Sequence, residues 1–357
     1  MQIPINKVCF KVLFSLGLFC CACVRHGPSS KESALSASAV PTSVPTLAST
    51  NLRVGLVLDK GGKDDKSFNS GAYEGAMRAA REFGVKVKTV ESSDDAAFEP
   101  ALRAFAERGF ALIVSIGFAQ GDAVQKVAAE FPGVRFAIVD GRVNLPNVSS
   151  LLFAEHEGSY MVGYAAGLAT KTGKIGFVGG MEIPMIRRFE MGYEAGAKAA
   201  HPSIQVFVNF VGINSSAWAN PARGKELALG QYERGADIVF HAAGASGAGV
   251  FDAAEEKRAL SIGVDSNQNC VKPGRVLTSM LKRVDVAVYD AIEGVVRGKR
   301  LSGVRSFGLV DRGVDYSVDG CNESLIGPYR AKLETARASV VAGRVKVPDY
   351  YELNKIK

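Results

Sequence analysis

The sequence predicts an α/β protein: two doubly wound parallel-sheet domains around a ligand cleft, joined by a three-stranded hinge. Two observations carry the fold class. From residue 52 onward, apolar runs that read as strands alternate regularly with amphipathic runs that read as helices. These strands are continuous apolar runs instead of strict alternations, as parallel strands covered on both faces require. The length agrees, since 357 residues, 47% of them hydrophobic, suffice for two sizeable cores.

Taken in order, the chain starts with Lys7 and Lys11 ahead of a short apolar stretch, "VLFSLGLFCCAC", that ends in small residues. Charged, apolar and small segments in that order make a secretory signal, too short for a confident membrane span. Cys23, after Ala22 and with Cys20 three positions upstream, resembles the acceptor cysteine of a bacterial lipoprotein signal. Cys21, with Leu18 upstream, is the alternative. Residues 25–51 turn to Ser, Ala, Pro and Thr without periodicity, which reads as a disordered tether. As a flexible coil it reaches roughly 30 Å.

The first βα series follows. "LRVGLVLD" is a strand, and residues 67–83 form a helix with Phe68, Ala72, Ala76, Ala79, Ala80 and Phe83 on one face. Strand 85–92, helix 97–108, strand 111–117, helix 122–131 and strand 134–140 continue it. After "SSLLFA" a second series runs through helix 157–171, strand 174–180, helix 184–200, strand 204–212, helix 220–235, strand 236–244, a helix from Gly249 and strand 260–265. The implied division is 1–22 signal peptide, 23–51 lipidated cysteine and tether, 52–154 with 279–309 as the first domain, and 155–278 with 310–357 as the second. Chain crossings are expected near Phe153-Ala154, Thr278-Ser279 and Leu309.

The strand ends are the informative part. Asp59, Asp140, residues 240–244 and Asp265 all sit at carboxyl ends of predicted parallel strands, where open α/β sheets bind ligands. The loop "DKGGKDDKSFNSG" places Phe68 beside Asn69 at a strand-to-helix corner, equipment for gripping something flat with a polar edge. Ser67 is the expected helix cap.

Several chemistries find no support. Four histidines show no ligand spacing, and there is neither HExxH nor a CxxC pair. "GASGAG" matches no nucleotide or nucleophile motif, although its glycines would let backbone approach a ligand. The net charge of +7 is scattered, which argues against a nucleic-acid surface. Strand-end aspartates could pose as a catalytic pair, but as acceptors for hydroxyls they point more simply to binding. Of the six cysteines only Cys270 and Cys321 lie outside the signal. An exported chain permits a disulfide between them, although two free thiols are the more common outcome.

The stretches "DDKSFN", "FAIVDG", "EGSYMVGYAAG", "IGFVGGME", "VFHAAGASGAG", "GVDSNQ" and "TSMLKRVD" occur in that order. In them the chain resembles the basic membrane lipoprotein family, and within it the PnrA-like purine nucleoside receptors of ABC importers. The resemblance implies a type I periplasmic-binding-protein fold, no enzymatic activity and no cofactor. It implies a purine nucleoside ligand, an ABC permease partner and a monomer lipid-anchored in the cell envelope. Carried over by residue, it implies that Phe68 and Phe240 sandwich the purine while Asn69 and Asp140 bond its edge. Asp59, Gly244, Gly247, Asp265 and Lys282 would then line the ribose side. His241 and the Ala245-Ser246 pair depart from the family pattern. Rival readings are a sensor, adhesin or surface antigen of the same fold, and a nucleoside-cleaving enzyme.

Overall fold

A computed structural model describes residues 51–356 apart from residue 93. The expected signal peptide, Cys21, Cys23 and all but the last residue of the tether lie outside the described residues. The first lobe is built from β1 (Arg53–Leu58), α1 (Phe68–Phe83), β2 (Lys86–Glu91), α2 (Phe98–Glu107), β3 (Leu112–Ile116), α3 (Gly121–Glu130), β4 (Arg135–Val139) and β5 (Val148–Phe153). The second contains α4 (Glu155–Ala169), β6 (Lys174–Met181), α5 (Pro184–Ala200), β7 (Gln205–Gly212), α6 (Pro221–Glu233), β8 (Ile238–Ala242), α7 (Gly247–Glu256), β9 (Leu260–Asp265) and β10 (Val276–Lys282).

The chain then returns to the first lobe. There α8 (Val284–Val296) packs on α1, and β11 (Gly303–Phe307) pairs with β5. It crosses once more to β12 (Val314–Tyr316), antiparallel to β10, and ends in α9 (Glu323–Ile326), α10 (Arg330–Val341) and α11 (Tyr350–Leu353). The middle crossing falls later than the sequence reading placed it. Residues 279–282 remain in β10 because that strand pairs with β9 as far as Leu281.

Each lobe is one sheet, ordered β11-β5-β4-β3-β1-β2 and β12-β10-β9-β8-β6-β7. Within both, the chain order reverses beside the lobe's first strand, so the crevice for a ligand lies at the carboxyl ends around β1 and β6. The apolar runs are explained by coverage on both faces: β3 and β8 are buried at every residue. Helices α4 and α5 cross closely because Gly163 and Gly192 have no side chain. A Cβ on Gly163 would lie 2.0 Å from the Tyr193 carbonyl, and one on Gly192 2.2 Å from that of His156. This contact sets Glu155, at the start of α4, against Arg188 on α5. Cys270 and Cys321 form a disulfide with a Cα–Cα distance of 5.4 Å, tying the loop after β9 to the turn before α9.

Candidate ligand-binding cleft

A narrow cavity of about 70 Å³ lies between the lobes. Asp59, Phe68, Asn69 and Asp140 line it from the first lobe; Gly244, Asp265 and Lys282 line it from the second. These seven expected residues converge from loops that are far apart in sequence. Phe240 and Gly247 do not join them, and Phe118, Phe189 and Trp218, which the sequence reading had not singled out, do.

The loop after β1 is held in shape by its own side chains. Asp65, not Ser67, caps α1: its carboxylate accepts from the Ser67, Asn69 and Ser70 amides at 2.8, 2.9 and 3.0 Å. Ser67 is thereby free to donate across the cleft to Asp265 Oδ2 at 2.6 Å. Asn69 is a strut. Its Oδ1 accepts from the Asp59 amide at 2.8 Å, while Nδ2 donates to the Lys60 carbonyl at 3.1 Å and to Asp65 at 3.0 Å. Both amide hydrogens are therefore taken by the loop itself, leaving Phe68 as the contact surface.

Phe240 is corrected by depth along its strand. It is fully buried, its ring 5.6 Å from that of Phe177 and 5.1 Å from that of Tyr193, so it offers no face to the cleft. Ala242, two residues further along β8, is the one that reaches the cavity. Gly247 is likewise a packing residue, since a Cβ there would sit 2.0 Å from the His241 ring. His241 itself is buried edge-on against Phe251, and burial lowers its pKa to about 4.

The second lobe's aromatic wall is Trp218, in the turn after β7. A Cβ on Gly180 would lie 2.1 Å from the indole, so the ring rests directly on β6. Ser246 fixes the turn from the other side. Its hydroxyl donates to the Ala217 carbonyl and accepts from the Asn220 amide, both at 2.7 Å. Ser246 thus holds the turn that carries Trp218.

Charge in the cavity is dominated by carboxylates: Asp59, Asp65, Asp140 and Asp265 against Lys60 and Lys282. Burial raises Asp59 and Asp265 to about 6, and Asp140 to about 7 against the pull of Lys282. Lys282 donates to Asp140 Oδ2 at 2.6 Å and lies 3.1 Å from Glu155. Burial disfavours its charge, but Asp140, Glu155 and Asp265 outweigh that and hold it protonated. The ammonium also lies 5.3 Å from the Phe68 centroid and 5.1 Å from that of Phe153. Asp140 Oδ1 is buried with no hydrogen-bond partner. Such an atom is costly unless something donates to it. Asp140 and Asp265 occupy equivalent places, at the carboxyl end of the fourth strand of each lobe, and both have positive φ, 64° and 65°. An acceptor-rich slot with aromatic walls suits an uncharged, flat ligand carrying hydroxyl and N–H donors.

The family described as ABC transporter substrate-binding protein, PnrA-like, matches residues 52–349. A "CD4+ T-cell-stimulating antigen" of Listeria monocytogenes is 34% identical over 327 residues, covering 85% of this chain and 89% of that protein. The "ABC transporter nucleoside-binding protein BmpA" of Lactococcus lactis is 33% identical over 322 residues, covering 84% and 90%. Among solved structures, an ABC transporter solute-binding protein from Aeropyrum pernix superposes with a TM-score of 0.76 at 30% identity, covering 85% of this chain and 96% of that one. The architecture is that of type I periplasmic binding proteins.

Proposed function

Since the chain belongs to the PnrA-like family of ABC transporter substrate-binding proteins, we propose that it captures purine nucleosides in the interdomain cleft for an importer. The observation that carries this reading is the pairing of two aromatic walls with buried acceptors. Phe68 and Trp218 line the cavity from opposite lobes, and Asp140 Oδ1 has no partner within the protein. The base stacks between the two rings, each stack contributing on the order of 1–3 kcal/mol. Asp140 accepts from an N–H on the base edge. Asp59 and Asp265 accept from ribose hydroxyls, with Lys282 holding Asp140 in place and Gly244 lining the ribose side. A relative bearing the name nucleoside-binding protein supports the same ligand class.

Closure is part of the mechanism. The lobes meet through Ser67 and Asp265, through Ser266 donating to the Ser67 carbonyl at 2.8 Å, and through Gln268 donating to the Lys66 carbonyl at 2.9 Å. Ser215 adds a bond of 3.2 Å to Asp95 at the rim. A ligand touching both walls favours this closed state, the form a permease reads. The protein acts at the cell envelope, held by diacylglycerol on Cys23; relatives include archaeal proteins named lipoproteins and Borrelia proteins named basic membrane proteins. No helix among the described residues is long and apolar enough to cross a membrane. Incubation with radiolabelled inosine tests the reading. The label should be retained unchanged, whereas no retention, or release of base and ribose, would contradict it.

A further inference from the structure

Behind the ligand cavity lies a wider trench of about 830 Å³, which shares Phe118, Asp140 and Met185 with it. The trench is walled by the C-terminal segment, including Asp349 and Tyr351. Between the two spaces runs a continuous line of buried charges. Asp140 meets Lys282 at 2.6 Å, Lys282 meets Glu155 at 3.1 Å, and Glu155 meets Arg188. Arg188 then grips Asp349 with a two-point fork, Nε to Oδ1 and Nη2 to Oδ2, both at 2.8 Å. Side chains along the line are between 2% and 13% exposed.

One link of this line and one branch from it join the lobes. Asp140 follows β4 of the first lobe and Lys282 ends β10 of the second. Arg188, on α5 of the second lobe, donates to the carbonyl of Phe153, the last residue of β5 in the first, at 2.8 Å. The guanidinium is held in one orientation by everything around it. Its carbon lies 4.6 Å from the Tyr351 centroid. His156 Nδ1 lies 2.9 Å from Nη2 and accepts from it, since burial and Arg188 keep that imidazole neutral. A planar fork fixed by Asp349 has its remaining donors aimed at Glu155 and Phe153 by geometry alone.

We infer that the C-terminal segment is a working part of the cleft: Asp349, acting through Arg188 and Glu155, positions Lys282 and so sets the strength of the Lys282–Asp140 bridge across the lobes. Asp349 is a positioning residue that never touches the ligand. Without its carboxylate, Arg188 turns toward Glu155, Glu155 yields its hold on Lys282, and the bridge to Asp140 loosens. The closed state then becomes less populated and the ligand leaves faster. The part that concerns affinity rests on the purine nucleoside reading; the part that concerns closure does not.

Trp218 supplies the probe, because it is the one tryptophan in the chain and lines the cleft. The full-length protein and its Asp349→Asn variant are compared by acrylamide quenching of Trp218 without ligand, then by titration with inosine. The variant should be quenched at least about twofold more efficiently and bind inosine about tenfold more weakly. Asp140→Asn should also weaken binding, and the double variant should be no weaker than the worse single one, as residues in one network couple instead of adding. Asp349→Glu should restore most of the loss, which a merely structural role does not predict. Should Asp349→Asn fail to fold, Arg188→Lys, which keeps the charge and loses the fork, is read the same way. Wild-type quenching and affinity in the variant, or multiplied losses in the double variant, would overturn the inference. If the wild type ignores inosine, the purine reading fails and the quenching comparison alone decides the latch.

Discussion

Lys282→Met removes the cation on which the buried charges of the cleft depend. In the wild type Lys282 pairs with Asp140 and Glu155, and all three side chains are at most 3% exposed. Methionine matches the stem and leaves the two carboxylates behind. They are not equally orphaned. Glu155 keeps Arg188, while Asp140 loses the partner of Oδ2 and already lacks one on Oδ1. Asp140 is thus the uncompensated charge, and breaking a buried pair in this way costs about 3–5 kcal/mol.

That cost depends on pH in a defined direction. Burial already lifts Asp140 to about 7, and loss of Lys282 lifts it further. A carboxyl raised above its unfolded value binds a proton in the folded state that the unfolded chain lacks. Its stability is therefore present at low pH and lost as pH rises through the folded pKa. Below about pH 7 both proteins hold the proton. Above it the variant alone does, and each pH unit widens the gap by up to about 1.4 kcal/mol. Guanidinium unfolding of both proteins should show a deficit of about 3–5 kcal/mol near pH 8.5, shrinking by up to about 2 kcal/mol near pH 6. A deficit below about 1 kcal/mol at both, or one that does not change with pH, would refute the reasoning.

The remaining predictions concern the ligand and the staple. Phe68→Ala and Trp218→Ala should each weaken inosine binding by about 1–3 kcal/mol, read by calorimetry, whereas Phe240→Ala should cost about 3–5 kcal/mol of stability and little affinity. Donors on the ligand favour the ionised forms of Asp59, Asp140 and Asp265, which burial has raised to about 6, 7 and 6. Binding near pH 6 should therefore release protons and strengthen as pH rises; calorimetry in buffers of different ionisation enthalpy would show it, and proton uptake would contradict it. The disulfide closes a separation of 51 residues, worth about 4 kcal/mol by chain entropy, so replacing both cysteines with serine should cost about 2–4 kcal/mol in the unfolding midpoint analysis.

How much of this was legible in the sequence differs by residue, for physical reasons. Asp59, Asp140 and Asp265 were readable because a parallel strand announces itself as an apolar run and its carboxyl end is where the run stops. Phe240 misled because it shares a strand face with Ala242 and sits one pleat lower. Two residues are about 6.6 Å, enough to move a ring from the cleft wall to the core beneath it. Trp218 was missed because "INSSAWA" has neither period, and its position depends on Gly180 and Ser246, which are remote in sequence. A lone tryptophan in a polar turn just past a strand end was the available signal. Asn69 was read as a ligand group for want of any sign that Asp59 and Lys60 would fold back upon it.

Those contrasts bear on how the cleft is built. Asp140 and Asp265 take positive φ at matching strand ends of the two lobes, a conformation that costs a residue with a side chain energy and that glycine would adopt freely. Each compensates differently. Asp265 is bonded to Ser67 of the opposite lobe, so its carboxylate is satisfied only when the lobes meet. Asp140 is bonded to Lys282 of the opposite lobe and still has one oxygen unmet. Opening the cleft would break both bonds, and in the closed arrangement Asp140 Oδ1 has no partner within the protein. On the proposed reading, the ligand supplies a donor to that oxygen between the two aromatic walls. A ligand that brings a donor together with a flat ring would then complete what the two lobes hold only in part, and its binding would be tied to closure.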